Sequence, residues 1–169
     1  MKTAAVLTVS DSVHAGARQD LSGPAVKRRL EELGYVVPVL EAVPDEENII
    51  ATRLARLADS AEVSAIFTTG GTGVAVRDVT PEATRRIVER EVPGLAELMR
   101  ARGLLHTPRA ALSRGIVGTR GRVLVVNLPG SPGGAVESLN AIVELVPHVL
   151  DLLRGKTEHD AAPTPESSP

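Results

Sequence analysis

Two kinds of hydrophobic pattern alternate along this chain. Residues 3–9 (TAAVLTV) form a continuous apolar run, as expected of a strand covered on both faces of a parallel sheet. Beyond a polar loop the period changes. Val26, Leu30 and Leu33 fall at i, i+4 and i+7, the inner stripe of a helix. Ser22 is placed to cap it, Pro24 sits in its first turn, and Gly34 stands where a left-handed C-terminal cap belongs. Residues 35–43 read as a second strand, with Pro38 pointing to an edge. Ile50, Leu54 and Leu57 then give a helix over 46–59, with Asp45 at its N-cap. Residues 63–68 (VSAIFT) are a third buried strand that runs straight into TGGTG.

The second half is more broken. Thr80-Pro81-Glu82 combines a capping residue, a first-turn proline and an acid, so a helix starts there. Pro93-Gly94 ends it, and another runs over 94–102. Two short apolar runs, GIVGT and RVLVV, flank a turn at 119–122 and read as a hairpin. A Pro/Gly loop over 127–134 leads into a long helix to about 154, interrupted by Pro147. Strands alternating with helices predict an α/β fold: a three-layer α/β/α sandwich on a mostly parallel sheet, with one antiparallel hairpin strand. In such folds ligands bind beyond the carboxyl ends of the strands. The loops that fall there are 10–12, 69–78 and 127–133.

Composition narrows the function. The 169 residues suit one domain over 1–154, and the Pro/Ser/acid-rich stretch 155–169 reads as a disordered acidic tail. Lys156, Glu158, Asp160 and Glu166 account for the whole net charge of −2, which leaves a neutral body. Neutrality, with one Tyr, one Phe and no Trp, argues against a nucleic-acid partner that binds by phosphate contacts or base stacking. With no cysteine there is no disulfide, thiolate metal site or cysteine nucleophile. No apolar run approaches the ~20 residues of a membrane helix, and Met1-Lys2 leads into no signal-peptide pattern. The expected setting is the cytoplasm, away from a membrane.

Within the three loops, Thr69-Gly70-Gly71-Thr72-Gly73 is the sharpest signal. Clustered glycines let backbone N–H groups cup an anion. The spacing is neither a Walker A loop nor a dinucleotide fingerprint. The bland alternative is a tight turn. Asp78 on the same loop suits a Mg²⁺ bridge to a phosphate, or else it caps a turn or pairs with Arg77. Asp45 is a helix cap or a second crevice acid. Ser10, Asp11 and Ser12 are turn formers or ligand contacts. Pro129, Gly130 and Ser131 belong to a second rigid loop with potential anion-binding N–H groups. Among His14, His106, His148 and His159 no pair has close metal-ligand spacing.

Taken together, TTGGTGVAVRDVTPEAT at 68–84, TPRAALSRGIVGTRGRVLVVNLPGSPGG at 107–134, the opening VSDS and DLSGP at 20–24 resemble the molybdopterin adenylyltransferases. These are the MogA/MoaB-type proteins and the G domain of gephyrin and its plant counterpart. The resemblance spans about residues 3–154. It implies a homotrimer that transfers the adenylyl group of ATP, a co-substrate, to the terminal phosphate of molybdopterin. Mg²⁺ would assist, pyrophosphate would leave, and a molybdate insertase would act downstream. It also implies that Asp78 is the essential acid and a metal ligand, with Asp45 a second. Gly70, Gly71, Thr72 and Gly73 would form the phosphate loop, and Pro129, Gly130 and Ser131 would lie near the ligand phosphate. Ser113 and Arg114 of the LSR segment would contact pterin or phosphate. Val74-Ala75-Val76 departs from the family's pattern. A non-catalytic molybdopterin carrier and a same-fold enzyme acting on another nucleotide are the competing expectations.

Overall fold

A computed structural model describes residues 2–156. The tail expected over 155–169 falls, from 157 onward, outside the described residues. Strands β1 (Thr3–Val9), β2 (Val36–Val43), β3 (Ala65–Thr69), β4 (Arg90–Glu91), β5 (Val117–Arg120) and β6 (Val123–Leu128) form one sheet in the order β2-β1-β3-β6-β5-β4. The four strands from β2 to β6 are parallel, while β5 runs antiparallel to both β6 and β4. The three-layer sandwich and its hairpin are therefore as the periodicity predicts. Strand β2 lies at an edge, where Pro38 withholds no ladder donor that an inner strand would need.

Successive residues of β1 face opposite layers, which explains its unbroken apolar run. Ala4 and Val6 join one core with Val26, Leu30, Phe67, Val126 and Leu139. Ala5 and Leu7 join the other with Ile50, Leu54, Ile66 and Val125. The first core is covered by α2 (Ser22–Glu32), α5 (Pro93–Leu104), α6 (Pro132–Ile142) and α7 (Val146–Leu153). The second is covered by α3 (Glu47–Asp59) and α4 (Thr80–Arg85). Gly34 takes the left-handed cap (φ 81). The long C-terminal helix is two helices, α6 and α7, with Pro147 in the first turn of the second.

Three expected caps are corrected. Ser22 is buried as the first residue of α2, and Asp20 binds the Gly23 N–H instead (3.0 Å). Asp45 does not cap α3. Glu46 holds that position, and the Asp45 carboxylate reaches back to the Asp11 N–H (2.8 Å). Thr80 is the first residue of α4 rather than its cap, and its hydroxyl donates to Gly70 O (2.9 Å). For Asp45 and Thr80 a partner on another element outcompetes the local one, while at α2 a neighbouring residue, Asp20, takes the capping role. Three short elements were not legible in the pattern: the single turn α1 (Asp11–His14), the two-residue β4, and a 3₁₀ turn at Pro108–Leu112.

Candidate active site

The loops after β1, β2, β3 and β6 meet at the carboxyl end of the sheet and are tied to one another. Asp11 and Asp45 exchange bonds: each backbone N–H donates to the other's carboxylate, at 2.8 and 2.9 Å. Arg77 grips Asp11 with both arms of its guanidinium, at 2.8 and 3.0 Å. Ser10 caps α1 through the Val13 N–H (3.3 Å), and its hydroxyl lies 3.2 Å from that of Ser12. The Thr69 hydroxyl donates to Pro129 O (2.6 Å) and Gly70 N–H to Leu128 O (3.2 Å), which locks the two glycine loops side by side.

Why glycine at 70 and 71 is a matter of space as well as dihedral. Their φ values are +105 and +65, in the left-handed region that β-carbons disfavour. A β-carbon on Gly70 would collide with the Val9 carbonyl, and one on Gly71 with the Thr80 hydroxyl. Among the described residues, the N–H groups of Gly71, Thr72, Gly73, Gly130 and Ser131 donate to no protein acceptor. Such groups are free to donate to the oxygens of an anion, and all five of these residues line a cavity.

Two cavities meet along this wall. One, of about 390 Å³, is lined by Thr72, Asp78, Met99, Arg109, Ser113 and Ser131 among others. The other, of about 400 Å³, is lined by Ser10, Arg18, Asp45, Gly70, Asp78 and Ser131 among others. Gly71, Asp78, Gly130 and Ser131 border both. The first cavity has an apolar flank from Ala96, Met99 and Gly103 of α5, and the second is more polar. Asp11, Ser12 and Arg114 line neither cavity.

Asp78 spends one carboxylate oxygen on the Ala75 N–H (2.9 Å). Burial holds the Asp45 carboxyl above its usual range, and the charges of Asp11 and Asp78 add to this. The Arg77 guanidinium holds Asp11 below its usual range. Among the described residues no three His, Cys, Asp or Glu side chains form a metal cluster. Asp45 and Asp78 supply a small, all-oxygen donor set. That suits Mg²⁺, which takes one or two carboxylates and completes its shell with phosphate and water.

Several residues that matter here were not singled out from the sequence. Asn127 is 1 % exposed and knits the site's floor: its Nδ2 donates to Thr68 and Thr84 hydroxyls (3.1 and 2.9 Å), and its Oδ1 accepts from the Ile116 N–H (3.2 Å). A polar residue inside RVLVVNL could have flagged it, since a buried amide must be bonded. Arg109 lines the first cavity, and its guanidinium has no protein partner among the described residues. Met99 had no visible signal beyond its helix.

A mostly parallel α/β sheet with two glycine loops and two cavities at its carboxyl edge has the architecture of a small-ligand-binding α/β domain. Residues 5–148 match the family model described as a probable molybdopterin binding domain. The chain belongs to the molybdopterin adenylyltransferase family, enzymes of molybdenum cofactor biosynthesis. It is 40% identical over 154 residues to the molybdopterin adenylyltransferase of Helicobacter pylori strain J99, covering 89% of this chain and 86% of that one. The Escherichia coli K12 molybdopterin adenylyltransferase is 36% identical over 164 residues, covering 89% and 84%. The crystal structure of the molybdopterin biosynthesis enzyme MoaB from Thermus thermophilus superposes with a TM-score of 0.86. It shares 52% identity and covers 92% of this chain and 98% of that one. Among the described residues no helix is long and apolar enough to cross a membrane.

Proposed function

We propose that this chain transfers the adenylyl group of ATP to the terminal phosphate of molybdopterin and releases pyrophosphate. The observation that carries this reading is the pair of adjoining cavities with a shared wall of unspent N–H donors and Asp78. The cavity flanked by Ala96 and Met99 suits a flat heterocycle such as the pterin. The polar cavity beside Ser10 and Asp45 suits the nucleotide phosphates.

In the reaction a molybdopterin phosphate oxygen bonds to the α-phosphorus of ATP, and the bond to the β-phosphate oxygen breaks. Electrons leave with pyrophosphate, so no side-chain nucleophile is required. The enzyme's work is to hold two anions in line and to offset their repulsion. The N–H groups of Gly71, Thr72, Gly73, Gly130 and Ser131 would donate to phosphate oxygens. Asp78 and Asp45 would hold Mg²⁺, which supplies charge neutralisation between the reacting phosphates. Ser113 would contact the pterin from the far wall of its cavity.

The same reading places the enzyme in the cytoplasm, ahead of a molybdate insertase, as a homotrimer. Leu105 and Leu145 stand exposed on the rim of the groove between α5 and α6, apolar surface that subunit association would cover. Light scattering checks the oligomer. Incubation with molybdopterin and Mg-ATP, followed by chromatography, checks the reaction: the adenylylated pterin should appear. Asp78→Asn should fold and lose most turnover, and near-normal product from that variant removes Asp78 from the mechanism.

A further inference from the structure

We propose that Arg114 is a positioning residue for Asp78, acting through a clasp on the 73–78 loop and not by touching a bound anion. Its kinetic readouts rest on the adenylyl-transfer reading above; its structural readout does not. Four contacts make the clasp. The Arg114 N–H donates to Thr72 O (2.8 Å) and Nε donates to Gly73 O (2.6 Å). Nη2 donates to Asp78 O (2.6 Å), and Nη1 pairs with the Glu82 carboxylate in the first turn of α4. One guanidinium thus ties together both ends of the loop and the helix that follows.

The loop has little else to hold it. Its tip carries Val74 and Val76, 70% and 97% exposed, so apolar packing does not anchor it. Within the loop, Ala75 and Asp78 bond only to each other: Asp78 N–H to Ala75 O (2.9 Å) and Ala75 N–H to the Asp78 carboxylate (2.9 Å). That small ring orients the carboxylate relative to the loop, but not relative to the protein. Arg114 fixes the ring to the body of the domain, with help from the exposed Arg77–Asp11 pair. The guanidinium fork suits this task, because its donors lie in one plane at set angles and reach several acceptors at once. Glu82 balances the charge. With its donors so engaged, and lining neither cavity, Arg114 stands behind the loop.

The test compares Arg114→Lys and Arg114→Gln with the unaltered chain. In amide hydrogen exchange, protection at Ala75 and Asp78 should fall roughly tenfold while the strands of the sheet keep theirs. In turnover, kcat should fall roughly 10- to 100-fold with KM for molybdopterin and ATP changed less than about threefold. The lysine variant should be about as poor as the glutamine one, since one ammonium cannot span Gly73, Asp78 and Glu82. Asp78→Asn combined with Arg114→Gln should be no slower than Asp78→Asn alone, the non-additivity expected of residues acting as one unit. Rescue by lysine, or a rise in KM with kcat intact, would make Arg114 an anion contact and overturn the proposal. Unchanged exchange at Ala75 and Asp78 overturns it as well. If the unaltered chain makes no adenylylated pterin, the functional reading falls and the exchange result still decides the clasp. Should both arginine variants fail to fold, Glu82→Gln must show the same pattern at smaller size, and its absence counts against the clasp.

Discussion

The glycine loops after β3 and β6 lie side by side and offer similar N–H groups, but they are held by different means. The first depends on distant residues. Thr80 fastens Gly70, Arg114 fastens Thr72 and Gly73, and Val9 leaves no room for a side chain at position 70. The second is largely self-supporting beyond Pro129, whose carbonyl accepts from the Thr69 hydroxyl (2.6 Å). Ser131 caps α6 through the Gly134 N–H (3.2 Å), and Pro129 and Pro132 stiffen its flanks. The first loop also carries Asp78, whose charge must be aimed. The second carries only backbone groups and a hydroxyl, which the helix start already orients. More of the long-range support goes to the loop that has to place a carboxylate.

Four substitutions probe that contrast, from the largest effect to the smallest. Gly70→Ala forces a β-carbon into the Val9 carbonyl at positive φ and should cost about 3 kcal/mol, read as a lower urea midpoint with an unchanged slope. Thr80→Val keeps the shape but leaves the Gly70 carbonyl buried without its donor, a loss of about 1–3 kcal/mol in the same experiment. Ser131→Ala removes a cap from the self-supporting loop and should cost about 1 kcal/mol. Gly133→Ala meets open space in the first turn of α6 and should stabilise by ~0.4–1 kcal/mol, seen as a raised melting temperature. A Gly70→Ala variant as stable as Gly133→Ala would erase the distinction between the loops.

Acidification sharpens the same comparison. The Arg114 guanidinium holds the Glu82 carboxyl below its ordinary value of 4.5. A depressed folded value means that the pair's contribution is complete above pH 4.5 and is lost as pH falls through the lower, folded value. Exchange protection at Ala75 should therefore be independent of pH near neutrality, where the pair is fully formed, and drop in acid. The Ser131 cap has no titrating partner, so protection at Gly134 should fall less over the same range.

Much of the fold was legible because both cores need apolar strands and striped helices, and these leave marks at fixed spacing. Val26, Leu30, Ile50 and Leu54 are all buried where their stripes place them. The site was legible as far as it is local: three glycines in four residues, an acid on the same loop, and a second Pro/Gly loop. The residues' partners were not. Thr80 and Asp45 satisfy the local rules for helix caps, yet each side chain goes to a neighbour on another element. A carbonyl or N–H brought close by the fold outbids the local one, and its position is not encoded in the nearby sequence. The two-residue β4 owes its strand conformation to pairing with β5, so no periodicity announces it.

Tyr35 has an experimental consequence. It is the only tyrosine in a chain without tryptophan, and it lies buried just before β2, at the end of the sheet away from both cavities. The protein is therefore nearly transparent in the near ultraviolet, and its one phenol is a remote spectator of the site. A bound pterin or adenine becomes its own chromophore against an almost blank background. Occupancy of either cavity can be followed in solution by absorbance, ligand emission or induced circular dichroism, with no dye attached to the chain.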